Sequence, residues 1–259
     1  MERINEHIFR LWIPFEAVLT SVFIVKTDEG TVILDTATTR DDVESYILPA
    51  LRSLALTPDL IIASHSHRDH MGGLPFLAER FPRAKVAAFD NSHSEAFPKA
   101  QRIPLYDGCL LLGCLRILHI PGHSPDALAV LDERTKTLLT FDGTQGFGVG
   151  RFGSGIGDVA QYLKSITRME TLGAERIEAA HDFIPQGHGA VGVDGVRQYL
   201  HICRDTALAL VTYVEKHSAL SPEEISSLYI ATYPDRPPLS PGGVRTMKRY
   251  IEVAKNGNL

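Results

Sequence analysis

Residues 60–70 read Leu60-Ile61-Ile62-Ala63-Ser64-His65-Ser66-His67-Arg68-Asp69-His70. The apolar run at 59–63 is short and unbroken, as in a strand buried on both faces. It ends directly at four side chains that bind metals, His65, His67, Asp69 and His70, within six positions. One helix face cannot present that set, because neighbours one and two apart diverge around a helix. A loop leaving a strand can. His65 and His67 then point one way, while Asp69 and His70 turn towards a second point, giving two adjacent metal positions. Imidazole with carboxylate suits zinc, and also iron or manganese, without any thiolate.

Outward from this stretch, short strands alternate with helices. Residues 7–13 and 20–26 are rich in β-branched and aromatic side chains, and a turn at 28–30 leads to a return strand at 31–35. Residues 41–54 carry apolar side chains at helical spacing, as do 72–80 after the histidines and 159–172 later. Strands are expected at 86–89, 110–120, 127–131, 137–141 and 176–180, the last ending at His181. This alternation fixes α/β-type content (α+β by some schemes) but not the layering. From about residue 193 the pattern turns helical. Val196, Leu200, Cys203, Ala207, Leu210 and Val214 form a stripe, and Ser221-Pro222-Glu223-Glu224 has Ser at an N-cap, Pro at N1 and Glu at N3. A loop with four prolines at 234–241 precedes a last helix at 242–255. The expected organisation is a main domain over 1–195 with a helical extension, 196–259, packed on it.

Net charge is −5, from 26 Lys+Arg against 31 Asp+Glu. That balance offers no basic surface for a phosphate backbone, so no nucleic-acid partner is expected. The basic clusters at 99–102 and 245–249 read as solvated faces. The first residues carry no leading apolar segment of the signal-peptide type, and the apolar stretch at 17–25 is too short to span a bilayer. Cys109, Cys114 and Cys203 show no zinc-type spacing and an odd count, so buried apolar thiols are expected. A cytoplasmic location without membrane attachment follows as the expectation.

The segment His65-Ser66-His67-Arg68-Asp69-His70 resembles the His-x-His-x-Asp-His signature of the metallo-β-lactamase superfamily. The resemblance continues through Val32-Ile33-Leu34-Asp35-Thr36 before it and Met71-Gly72-Gly73 after it. His119-Ile120-Pro121-Gly122-His123-Ser124, Leu139-Thr140-Phe141-Asp142-Gly143 and Ala179-Ala180-His181-Asp182 extend it further. It covers about residues 7 to 200, roughly three quarters of the chain, in the family's order. It implies an αββα sandwich with a C-terminal helical appendage. Carried over residue by residue, it implies that His65, His67 and His123 hold a first metal, that Asp69, His70 and His181 hold a second, and that Asp142 bridges both. Phe141 and Ala180 stand where the family commonly has Gly. His188, in a Gly-His-Gly setting, competes with His181 for the last position; His181 is preferred because it ends an expected strand. His119 reads as a structural group, and His7, His93, His201 and His217 as surface or core residues. Asp35 has two readings, an outer partner that orients a ligating imidazole or a plain turn residue.

The chemistry implied is that of a dinuclear, metal-dependent hydrolase. Two divalent ions, zinc first with iron or manganese as alternatives, yield a bridging hydroxide near neutral pH. Asp69 would relay a proton to the leaving group. No Gly-x-Ser-x-Gly nucleophile element is present. A small ester, thioester or lactone fits better than a phosphodiester. The Gly-rich stretch 146–157 offers Phe147, Arg151 and Phe152 to a substrate pocket, with His188 beside them, or is simply a loop. The helical tail would cover the site; otherwise it is ordinary packing or a homodimer surface. Two other classes remain: a non-haem iron oxidoreductase of the same fold, and a metal-bound sensor or binding protein with little turnover.

Overall fold

A computed structural model describes residues 1–89 and 101–257. His93 and the first two residues of the 99–102 cluster lie outside that range. The chain divides into two compact units, Met1–His119 with Asp126–Thr135, and Ile120–Pro125 with Lys136–Leu259.

The first unit is built on a seven-stranded sheet in chain order: β1 (Glu2–Arg3), β2 (Ile8–Phe15), β3 (Val18–Lys26), β4 (Thr31–Leu34), β5 (Leu60–Ala63), β6 (Lys85–Phe89) and β7 (Arg102–Leu105). β1 to β4 pair antiparallel, and β4 to β7 pair parallel. Every residue of β4 and of β5 is buried, which explains why both read as unbroken apolar runs. The crossover from β4 to β5 is one helical segment: α1 (Arg40–Asp42), a π turn (Val43–Ile47) and α2 (Leu48–Leu54). It starts at a capping box between Thr39 and Asp42 and stops at Ala55, whose backbone is left-handed. Its apolar side chains Val43, Ile47 and Leu51 pack with Ile33, Ile61 and Val86 of the sheet. Two short helices follow β5, α3 (Arg68–Met71) and α4 (Leu74–Arg80). The expected strand at 110–120 is two strands, β8 (Leu110–Leu111) and β9 (Leu115–His119). Left-handed backbone at Leu112 and Gly113 breaks it. β10 (Leu128–Asp132) pairs antiparallel with β9.

In the second unit, β11 (Thr137–Phe141) runs parallel to β14 (Arg176–Phe183), and β15 (Gly187–Val191) pairs antiparallel with β14. β14 extends past residue 180, so His181 lies within the strand and not at its end. The stretch 146–157 is no plain loop: β12 (Gly148–Val149) and β13 (Phe152–Gly153) pair in it as a small hairpin. Four helices complete the unit: α5 (Val159–Glu170), α6 (Val193–Lys216), α7 (Pro222–Thr232) and α8 (Pro241–Lys255). α6 buries the expected stripe, Val196, Leu200, Cys203, Ala207, Leu210 and Val214. It packs against α5, α8 and β15, and α7 packs against α8. Mixed sheets with helices and a helical C-terminal part make this an α/β fold, as the sequence pattern requires. Among the described residues, no helix is long and apolar enough to cross a membrane.

Candidate metal centre

In the first unit the candidate ligands leave the C-terminal end of β5. His65 is buried, His67 stands at the position before α3 and is exposed, and Asp69 and His70 are buried on α3. The His65 ring lies 4.6 Å from that of His67 and 4.2 Å from that of His70, centroid to centroid. Asp69 Oδ2 is 3.2 Å from His70 Nε2. The backbone N–H and the hydroxyl of Thr36 both donate to the His70 carbonyl, at 2.7 and 3.0 Å, which pins α3 to the end of β4.

Asp35 orients this cluster. Its Oδ2 lies 2.6 Å from His70 Nδ1 and accepts the Ser64 hydroxyl at 2.9 Å, while Oδ1 accepts the Ser64 N–H at 2.7 Å. A carboxylate only accepts, so His70 Nδ1 carries the proton and Nε2 is left to bind. The same logic reaches His65. The Ser64 hydroxyl spends its proton on Asp35, so at 3.0 Å it accepts from His65 Nδ1. Asp35 is fully buried, and burial pushes its carboxyl up from the usual carboxylate range, against the pull of His70 and Ser64. Of the two readings of Asp35, the geometry gives the orienting partner.

In the second unit the loop holding His123 is pressed onto α5. A Cβ at Gly122, whose φ is 141°, would collide with the Tyr162 backbone, and the Gly122 carbonyl accepts from the N–H groups of Gly157 and Asp158 at 2.7 and 2.9 Å. His123 Nδ1 lies 2.7 Å from the Gly155 carbonyl and so donates to it, which leaves Nε2 to bind. That Nε2 is 3.3 Å from Asp142 Oδ2, and His181 Nε2 is 3.3 Å from Asp142 Oδ1. Each oxygen of one buried carboxylate therefore faces a different imidazole.

His188 sits elsewhere. Its side chain is 44% exposed, and its Nδ1 is 3.5 Å from Oδ1 of exposed Asp182. The geometry thus puts His181, not His188, beside Asp142. Phe147 is half-buried under the Arg236 guanidinium, 4.4 Å from the ring centroid. Arg151 is exposed and lies over its neighbour Phe152 at 5.3 Å. His119 stacks on Phe89 at 3.9 Å, the structural role expected of it. Ser64, Gln145 and Gly155 are the contributors that residue-type reasoning passed over. Ser64 alone had a visible signal, a hydroxyl adjoining His65.

The donor set fits divalent metal ions: imidazoles, of which His65, His70 and His123 have Nδ1 engaged and Nε2 presented, with carboxylate oxygens and without thiolate. Cys203, buried on α6, is not among these donors.

Residues 16–93, which include the whole His65-to-His70 motif, match the family profile described as the metallo-beta-lactamase superfamily. Over these residues the chain is similar to the metallo-β-lactamase superfamily. Among curated relatives, the chain is 30% identical over 165 residues to the lactamase-like protein vrtG of Penicillium aethiopicum, covering 62% of this chain and 51% of that protein. It is 27% identical over 153 residues to an atrochrysone carboxyl ACP thioesterase of Claviceps purpurea (strain 20.1), covering 58% and 46%. The chain thus spans about half the length of the curated relatives it matches. Among solved structures, a metallo-beta-lactamase family protein of Thermus thermophilus superimposes with a TM-score of 0.71 at 17% identity, covering 98% of this chain and 95% of that one. The sec-alkylsulfatase Pisa1 from Pseudomonas sp. gives 0.68 at 17% identity, covering 87% and 44%. At such identities the likeness is one of fold.

Proposed function

We propose that the protein is a metal-dependent hydrolase of a small thioester, using two divalent ions, zinc by preference. The observation that carries this reading is the Asp142 carboxylate, with one oxygen towards His123 and the other towards His181. By the family resemblance of the sequence, His65, His67, Asp69, His70, His123, Asp142 and His181 would hold the ions. Such a pair supplies an activated water and an electrophile for the developing oxyanion. The chain's own groups do the rest. Asp35, Ser64 and the Gly155 carbonyl hold His70, His65 and His123 with Nε2 presented. Asp69 offers a carboxylate oxygen to take up the proton released during attack and pass it to the leaving group. Thioester is preferred over ester and lactone because several curated relatives are named as ACP thioesterases. A small-molecule substrate, and no nucleic acid, accords with the net charge of −5.

The test is metal analysis of purified protein, followed by turnover on matched thioesters, oxygen esters and lactones. Two zinc ions per chain are expected, with the thioesters hydrolysed fastest. Asp142→Ala should lose at least about 100-fold in kcat/KM together with bound metal. Stoichiometric metal with no turnover of any of the three classes would sink the hydrolase reading, as would one tightly held iron per chain.

A further inference from the structure

Gln145 lies in the turn after β11, is 2% exposed, and spends both ends of its side-chain amide on backbone. Its Nε2 donates to the Asp142 carbonyl at 2.8 Å, and its Oε1 accepts the Gly155 N–H at 2.8 Å. Both partners are main-chain groups of fixed polarity, so the amide orientation is unambiguous. The Gly155 carbonyl in turn accepts from His123 Nδ1 at 2.7 Å. A Cβ at Gly155 would fall 2.8 Å from His123 Nδ1 and 2.9 Å from Gln145 Oε1, so the three groups are in direct van der Waals closure. The Gln145 N–H donates to the hydroxyl oxygen of buried Tyr162 at 3.0 Å, which ties the turn to α5.

We infer that Gln145 is a positioning residue of the metal centre: one amide locks the Asp142 backbone to that of Gly155 and so aims the Asp142 carboxylate and the His123 imidazole at a common point. The inference rests on the two-ion reading above. Glutamine alone suits the place. Glutamate keeps the shape but has no N–H for the Asp142 carbonyl, leucine fills the volume but makes neither bond, and asparagine is one methylene short. Groups that orient ligands from behind are worth about 10–100-fold in metal affinity.

The experiment titrates metal-free protein with cobalt(II), reading affinity and the visible absorption band, beside thermal unfolding of the metal-free form. The variants are Gln145→Glu and Gln145→Leu. Gln101→Leu is the control, because Gln101 is also a buried glutamine whose Nε2 donates to backbone carbonyls, those of Ala78, Phe81 and Ala84. Both Gln145 variants should bind cobalt about 10–100-fold more weakly, with a shifted absorption band. Gln101→Leu should lower the unfolding temperature and leave affinity and band alone. If Gln145→Leu does not fold, Gln145→Glu, which keeps an acceptor for the Gly155 N–H and replaces the donor to the Asp142 carbonyl by a carboxyl oxygen, decides. Wild-type affinity and an unaltered band in a folded Gln145 variant would overturn the inference and leave the hydrolase reading intact. Failure of the wild type to bind cobalt would overturn both.

Discussion

Phe141 carries a strain that its neighbour needs. Its φ is 49°, in the left-handed region, it is 1% exposed, and the β11–β14 ladder shifts register between Leu139 and Phe141. The irregularity turns the chain so that Asp142, the next residue, leaves the strand towards His123 and His181. A non-glycine residue in that conformation costs about 1–2 kcal/mol, which glycine avoids. Here the buried ring offsets the cost. The two contributions separate by substitution. Phe141→Ala keeps the strain and loses the ring, for about 3–5 kcal/mol of stability. Phe141→Gly loses the ring but relieves the backbone, and should be about 1 kcal/mol more stable than the alanine variant. Urea unfolding of the metal-free variants reads the difference. Alanine equal to or better than glycine, the order found at ordinary positions, would refute a strained Phe141.

At the scale of elements, local chemistry sets what can be tested and what could be read. α7 begins at a full capping box: the Ser221 hydroxyl accepts the Glu224 N–H at 3.2 Å, and Glu224 Oε2 accepts the Ser221 N–H at 2.8 Å. Ser221→Ala should cost about 1 kcal/mol. The loss should appear as faster hydrogen exchange in the first turns of α7 and not in β14. Unchanged exchange there would show that packing against α8, not the cap, holds the helix end. This cap, the strands β2 to β5 and the α6 stripe were legible because each is written in side chains at fixed local spacing. β14 was cut short for an instructive reason. Its continuation, His181-Asp182-Phe183, alternates buried, exposed, buried, as a strand should, but a polar pair broke the apolar run. β8 and β9 were fused because left-handed backbone at Leu112 has no composition signal. The candidate ligands stood out through residue type and order. The role of Asp35 stayed open until its distance to His70 was known. Gln145 was invisible because its partners are backbone atoms, which every residue type supplies.

For the whole molecule, the second unit's core makes stability depend on alkaline pH. Cys203 is fully buried, and burial pushes its thiol up to about 12; Tyr162, hydrogen-bonded with it, is pushed well above the ordinary phenol value. Burial also raises Cys114 in the first unit. In each case the folded state keeps a proton that the unfolded chain gives up, near pH 8.5 for thiols and near 10 for tyrosine. Where the unfolded state binds fewer protons, stability falls as pH rises. The contribution of Cys203 is therefore complete below about pH 8.5 and declines from there towards 12, at about 1.4 kcal/mol per pH unit. Cys203→Ala removes that titration while leaving those of Tyr162 and Cys114. Its absolute stability will drop from lost packing, so the slope is the informative quantity. Urea midpoints between pH 8 and 10.5 should fall less steeply for Cys203→Ala than for the wild type, and below pH 8 the two should run parallel. Equal slopes across the range would mean that Cys203 ionises in the folded protein as readily as in the unfolded one, which its burial against α5 forbids.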